Sequence, residues 1–149
     1  MSAYDLIKGQ LGAMVPFQTH AGVTLEEVAD GEATASLPQT PTSINHIGSQ
    51  HAGALYTLGE AASGAALAGA LMPVLMTVRP VAAKAEIAYR KVAKGTITAT
   101  AKTSRPGPEL MAEIEASGKT VFAVNVSLTD GSGAQVAAMT VDWHVSKAR

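Results

Sequence analysis

Cysteine is absent from the 149 residues. That excludes a disulfide framework and a thiol nucleophile, and leaves any chemistry to oxygen and nitrogen groups. Aromatic residues make up only 4% of the chain and charged residues 15%. So little charge excludes a disordered, self-repelling chain. Neither sign dominates: 11 Lys and Arg face 12 Asp and Glu, a formal net charge of −1. The longest basic run is Arg90-Lys91, so the footprint of a nucleic-acid binder is missing. Met1-Ser2-Ala3-Tyr4-Asp5 lacks the basic and then apolar layout of a secretion signal. The expectation is a soluble cytoplasmic protein. What is plentiful is hydrophobic residue, at 47%. A single domain spanning residues 1–149 is expected, burying roughly 68–70% of its unfolded surface.

One long apolar run needs separate treatment. Between Ala52 and Val78 the only charged residue is Glu60. The nineteen residues Ala52–Ala70 contain eight Ala and four Gly, too small for a good lipid-facing surface. Pro73 interrupts the run, and an ionised group at mid-span costs roughly 2.5–3.5 kcal/mol on insertion scales. A helix that is apolar all round fits the interior of a soluble protein better than a membrane.

The periodicities divide the chain. Leu6, Ile7, Leu11 and Met14 recur at helical spacing and predict an amphipathic helix over Tyr4–Met14. Val23–Val28 and Glu32–Leu37 flank Asp30-Gly31, a hairpin turn signal. Pro38 to Ser43 is loop, and the Ala/Gly-rich helix follows from about Ser49 to Leu71. The period then becomes two. Ala85, Ile87 and Tyr89 alternate with Lys84, Glu86 and Arg90, and Ile97, Ala99 and Ala101 alternate with threonines. Leu110, Ala112 and Ile114 alternate with Glu113 and Glu115. Phe122–Leu128 and Met139–Trp143 close the series, with turns at Ser117-Gly118-Lys119 and Asp130-Gly131-Ser132-Gly133. These patterns predict an α+β fold, an antiparallel sheet wrapped around one long central helix.

The chemistry concentrates in Asn45–Glu60. A polar loop carries Asn45, His46 and His51 into a helix start. The first N–H groups of a helix have no internal partner and sit at its positive end. Ala52, with almost no side chain, leaves its N–H open to a carbonyl or oxyanion. Glu60 is a lone carboxylate in an apolar helix. Burial disfavours its charged form and raises its pKa, which suits a general base. Thr57 and Ser63 lie three residues to either side, on the same helix face. Glu60 is eight residues past Ala52, about 12 Å along the helix, so one helix cannot bring both to one substrate carbon. Two copies packed with antiparallel helices can, which predicts at least a two-fold dimer.

Other residues carry plainer readings. A lone buried Glu is more often a hydrogen-bond partner than a catalyst, and histidines near a helix start usually cap it. His20 and His144 have no motif around them. No histidine pair stands at zinc-ligand spacing on a helix, so no metal site is expected. Asp130–Gly133 reads as a hairpin turn before a phosphate cradle. Lys84, Arg90, Lys91 and Lys94 could contact phosphates, but a solvated strand face has the same composition.

Asn45-x-x-Gly48-x-x-His51-Ala52-Gly53, with Glu60 nine residues past the histidine, resembles the hotdog-fold acyl-CoA thioesterases of the phenylacetate-pathway (PaaI-like) type. The layout is similar from about Leu11 to Trp143. The resemblance implies hydrolysis of a fatty or aromatic acyl-CoA by a homodimer or a dimer of dimers. It implies no metal or redox cofactor, coenzyme A entering only as part of the substrate. The Ala52 N–H would polarise the thioester carbonyl, and Glu60 of the other subunit would activate water or attack the acyl carbon. Asn45 would help position the water or the carboxylate, and His51 would orient the loop and helix start. The nucleotide of coenzyme A would lie near surface basic residues. Family members often carry Gly at the Ala52 position, and many carry Asp at the Glu60 position. The Asp branch has a hydroxyl on the strand after the helix, where Val81-Ala82-Ala83 offers none; Ser63 would stand in for it. Two other readings share the fold. A hydratase or dehydratase would pair His51 with Glu60, but the His-Phe-Pro and Asp-x-Asn-Pro-x-His signatures are missing. A non-catalytic acyl-CoA-binding module would need no turnover at all.

Overall fold

The computed structural model describes residues 1–149. Helix α1 spans Ala3–Met14 and opens on a capping box between Ser2 and Asp5. Pro16 at the first helical position starts a short second helix, α2 (Pro16–His20). Strands β1 (Thr24–Ala29) and β2 (Glu32–Leu37) form the expected hairpin, turning at Gly31 with φ +70°. The long helix α3 runs from Ala52 to Ala70, and a 3-10 turn over Met72–Thr77 follows it. Strands β3 (Val78–Tyr89) and β4 (Ile97–Thr103), helix α4 (Gly107–Ser117), and strands β5 (Lys119–Thr129) and β6 (Gln135–Lys147) complete the chain.

The strands make one antiparallel sheet in the order β1-β2-β4-β5-β6-β3. It curls over α3, which packs mainly on β1, β2, β4 and β5. Alternate residues of the central strands are sealed against the helix: Ala35 and Leu37 on β2, Ala99 and Ala101 on β4, Val124 and Leu128 on β5. Small residues let the helix approach closely. At Gly69 a Cβ would collide with the backbone carbonyl of Ala29. The predicted architecture, antiparallel sheet around a long helix, is therefore the one observed.

One predicted strand is a helix. The alternation Leu110-Ala112-Ile114 suggests a strand, yet these residues form α4, and Ala112, its middle member, is exposed. Leu110 and Ile114 are also four apart, and that spacing prevails: both are buried on one helical face. Pro108 suits the first turn, and Gly118 ends the helix in the left-handed region, its N–H donating to the Ile114 carbonyl at 2.7 Å. Arg105 pairs with Glu109 and Glu113 along the helix. Of the two carboxylates that mimic a polar strand face, Glu113 is thus a partner of Arg105, and Glu115 pairs with Lys147 at 3.7 Å.

The two sheet edges differ. α1 packs along β1, and Lys8 Nζ donates to the Glu26 carbonyl at 3.1 Å. β3 has no such cover. It is exposed on both faces over Val81–Lys84, and of the face predicted to be apolar Ala85 and Ile87 are half-buried while Tyr89 is exposed.

Candidate active site

The loop before α3 is built by Asn45. Its Oδ1 accepts the N–H groups of Ile47 (3.1 Å) and Ser49 (3.0 Å), and its Nδ2 donates to Ser49 Oγ at 2.9 Å. Gly48, at φ +77°, closes that turn. Gln50 anchors the loop to the body, Nε2 donating to the carbonyls of Leu37 (3.1 Å) and Gly95 (3.0 Å). Asn45 is thus engaged inside the loop at both polar atoms, which gives it a shaping role beside the water-positioning role expected of it.

His51 is the N-cap of α3. Its Nδ1 accepts the Gly53 N–H at 2.8 Å. That nitrogen therefore carries no proton, and the ring is fixed over the first turn. Ala52 is exposed, and no protein acceptor engages its N–H. Its carbonyl accepts the Tyr89 hydroxyl at 2.9 Å, which ties the end of β3 to the helix start. The expected helix-terminal donor is present and open. Around it lies a cleft of about 380 Å³, bordered by Asn45, Ala52, Tyr89, Arg90 and Lys91. Of the four basic candidates, Arg90 and Lys91 border this cleft. Lys84 pairs with Glu86 at 3.0 Å, and Lys94 is exposed beyond it.

Glu60 sits elsewhere. It is half-buried, and its carboxylate has no ion-pair or hydrogen-bond partner. Burial pushes its pKa above the ordinary 4.5. It borders an apolar cavity of about 290 Å³ between α3, the N-terminal helices and the 3-10 turn, with Leu11, Met14, Leu67, Leu75 and Trp143 among the walls. On α3 the lining runs from Glu60 through Gly64 to Ala68, about 12 Å. The acid thus stands at one end of an apolar channel along the helix.

Ser63 is fully buried behind it. Its hydroxyl donates to the Glu60 carbonyl at 2.7 Å and accepts the Trp143 indole N–H at 3.2 Å. Its only proton is committed, so it offers no donor to the cavity, and the water-positioning role expected of Ser63 has no free hydrogen to work with. Thr57 Oγ1 donates to the Gly53 carbonyl at 2.9 Å. The stripe Thr57-Glu60-Ser63 therefore leaves one free polar group, the carboxylate. Sequence reasoning missed Tyr89 as a tie to the helix start. It also missed Gln18, which borders the Glu60 cavity.

Within one protomer, Ala52 and Glu60 open onto different hollows. The largest hollow, about 780 Å³, is the outer face of the sheet and contains neither. No three His, Asp or Glu side chains converge into a metal-binding group. No helix is long and apolar enough to cross a membrane.

Antiparallel strands curled over one long helix, whose capped start and interior carboxylate lie along its length, make this a hotdog fold. Solved structures bear that out. A protein of unknown function from Pseudomonas aeruginosa, described as a probable thioesterase, shares 25% identity over 97% of this chain and 95% of its own, with a TM-score of 0.83. The Escherichia coli PaaI protein of the phenylacetic acid degradation operon matches over 99% and 94% at 16% identity, with a TM-score of 0.76. A hypothetical thioesterase protein from Streptococcus pneumoniae, solved with coenzyme A, matches over 90% and 95% at 21% identity, with a TM-score of 0.68. The chain belongs to the family described as a domain of unknown function, DUF4442, which it matches over residues 4–145. No curated protein matches it by sequence.

Proposed function

We propose that this protein is a thioesterase that hydrolyses acyl-CoA, acting as a dimer whose two sites each draw on both subunits. The observation that carries this reading is the unpaired, half-buried Glu60 carboxylate at the end of an apolar cavity. The cavity suits an acyl chain. At roughly 30 Å³ per water-sized group, about 290 Å³ accommodates an acyl group of roughly eight to ten heavy atoms, straight or aromatic. The basic rim of the second cleft, Arg90 and Lys91, suits the phosphates of coenzyme A.

In this reading Glu60 takes a proton from water, and the water oxygen attacks the acyl carbon. The partner subunit's Ala52 donates its N–H to the oxyanion that forms. The C–S bond then breaks, the coenzyme A sulfur takes the proton, and the free acid leaves. Direct attack by Glu60, with water cleaving the resulting anhydride, uses the same geometry. Asn45 and His51 serve by holding the loop and helix start in place. The dimer is supported by β3, an uncovered twelve-residue edge strand with Val81 49% and Tyr89 48% exposed. An edge of that length is a ready template for another strand.

The test is an acyl-CoA panel with a thiol reagent, comparing wild type with Glu60→Gln and Glu60→Ala. A loss of roughly 10²–10⁴ in kcat is expected. Equal rates would remove Glu60 from the mechanism. Hydration of an enoyl-CoA without thiol release would move the protein to the hydratase class.

A further inference from the structure

Of the side chains that line the Glu60 cavity, only two are polar: Glu60 itself and Gln18. Gln18 comes from α2, the short helix started by Pro16, and is only 5% exposed. Its backbone carbonyl accepts the Val23 N–H at 2.9 Å, which fixes the segment, but no hydrogen bond within the protein reaches its side-chain amide. The amide differs in this from Gln50, whose Oε1 is sealed off without a partner while its Nε2 makes two bonds. Gln18 is not sealed, and the space it borders is the cavity.

An amide has two donors and an acceptor. Left unpaired against hydrocarbon it is costly, which is why buried polar groups nearly always have partners. A bound acyl chain made only of carbon and hydrogen would strip the last water from Gln18 and give nothing back. A chain bearing an oxygen at that depth would restore the lost bond. We propose that Gln18 is a specificity residue, and that the cavity selects an oxygen-bearing acyl group, a hydroxyacyl or oxoacyl chain, over a plain hydrocarbon one. This rests on the acyl-CoA reading of the site and narrows it. It needs no second subunit, because α2, α3 and the cavity belong to one chain.

The experiment compares octanoyl-CoA with hydroxyoctanoyl-CoAs carrying the hydroxyl near the thioester, at mid-chain and at the far end. Hydrolysis is read as kcat/KM. Binding is read by calorimetry with the matching non-hydrolysable thioethers, so it does not depend on turnover. Wild type is expected to favour one hydroxylated isomer by about five- to hundredfold in both readouts. Gln18→Met, of similar length but without the amide, is expected to bring that isomer down to the octanoyl value. Circular dichroism and thermal melting confirm that the variant folds. A wild type without preference, a preference that survives in Gln18→Met, or a uniform loss across the panel in that variant would each overturn the proposal. Binding with the expected preference but no hydrolysis would overturn the hydrolase reading and leave Gln18 standing. Failure to bind any of the thioethers would overturn both.

Discussion

The indole N–H of Trp143 donates to Ser63 Oγ, and that hydroxyl in turn donates to the backbone carbonyl of Glu60. The chain of bonds runs from the sheet to the residue that carries the acid, through a side chain fully buried between them. Ser63→Ala leaves the indole N–H without a partner, at a cost of about 1–3 kcal/mol. At roughly 2–4 °C per kcal/mol for a domain of this size, a melting experiment resolves that. The same variant should lose less than tenfold in kcat, since Ser63 has no proton to give the substrate. A hundredfold loss in kcat with an unchanged melting temperature would return Ser63 to direct chemistry.

Glu60 predicts two opposite pH trends. Its carboxyl is neutral in both folded and unfolded chains below about the ordinary 4.5. Above that pH the unfolded chain ionises first, because burial raises the folded value. Wild type therefore loses stability relative to Glu60→Gln as pH rises from 4.5 to the raised value, and the gap is constant beyond it. Under the proposed mechanism activity should rise over the same interval, because the ionised form would be the base or nucleophile. Melting curves of both proteins and a pH–rate profile of wild type check this. A gap that widens towards acid would contradict the burial of the carboxylate.

The shared-site geometry can be tested by mixing subunits. Ala52 is the first residue of α3, where proline is tolerated, and His51 at ψ 139° already has the extended backbone proline requires before it. Ala52→Pro thus deletes one N–H with little else. Ala52→Pro and Glu60→Gln homodimers should each be impaired. Refolded together, their heterodimer regains one intact site, from the unaltered Glu60 of one chain and the unaltered Ala52 of the other. Activity that does not return on mixing would place both groups in one protomer.

Two glycines of α3 should respond oppositely to alanine. Helix propensity alone favours alanine by about 1 kcal/mol at each. At Gly69 the new methyl strikes the Ala29 carbonyl, a backbone atom that cannot swing aside. Overpacking of about 1–3 kcal/mol or more outweighs the propensity gain, and Gly69→Ala should melt lower. At Gly64 the nearest atoms belong to Trp143, at 3.6 and 3.7 Å, an ordinary contact. Gly64→Ala should therefore melt higher. Gly64 also lines the Glu60 cavity, so the same change should shift the preferred acyl chain towards shorter members. A lower melting temperature for Gly64→Ala would show that the cavity wall cannot take a methyl group.

Much of this was legible in the residues. Asp30-Gly31 marks its hairpin because only a few residue types adopt positive φ, and Gly31 does so at +70°. The long helix is legible because Ala and Gly leave no other reading for a run with one charge. Glu60 stands out for the same reason. α4 was misread because Leu110, Ala112 and Ile114 satisfy period two while Leu110 and Ile114 also satisfy a helical spacing, and five residues do not separate the two. Gln18 was invisible because its importance is purely spatial. A glutamine after Pro16-Phe17 looks like any surface residue until α2 folds it against the cavity. The engagement of Ser63 was likewise hidden, since Trp143 lies eighty residues away and leaves no local trace; Asn45 bonds only within its own loop, and residue types alone do not show which way its amide turns.

The bond from Tyr89 to Ala52 joins the outermost strand of the sheet to the amide end of the buried rod. Whatever grips that strand pulls on the same residue that presents the free N–H. In the proposed dimer this would wire assembly and oxyanion stabilisation together mechanically, and dilution that separates the copies would slacken the donor as well as remove the acid proposed to face it.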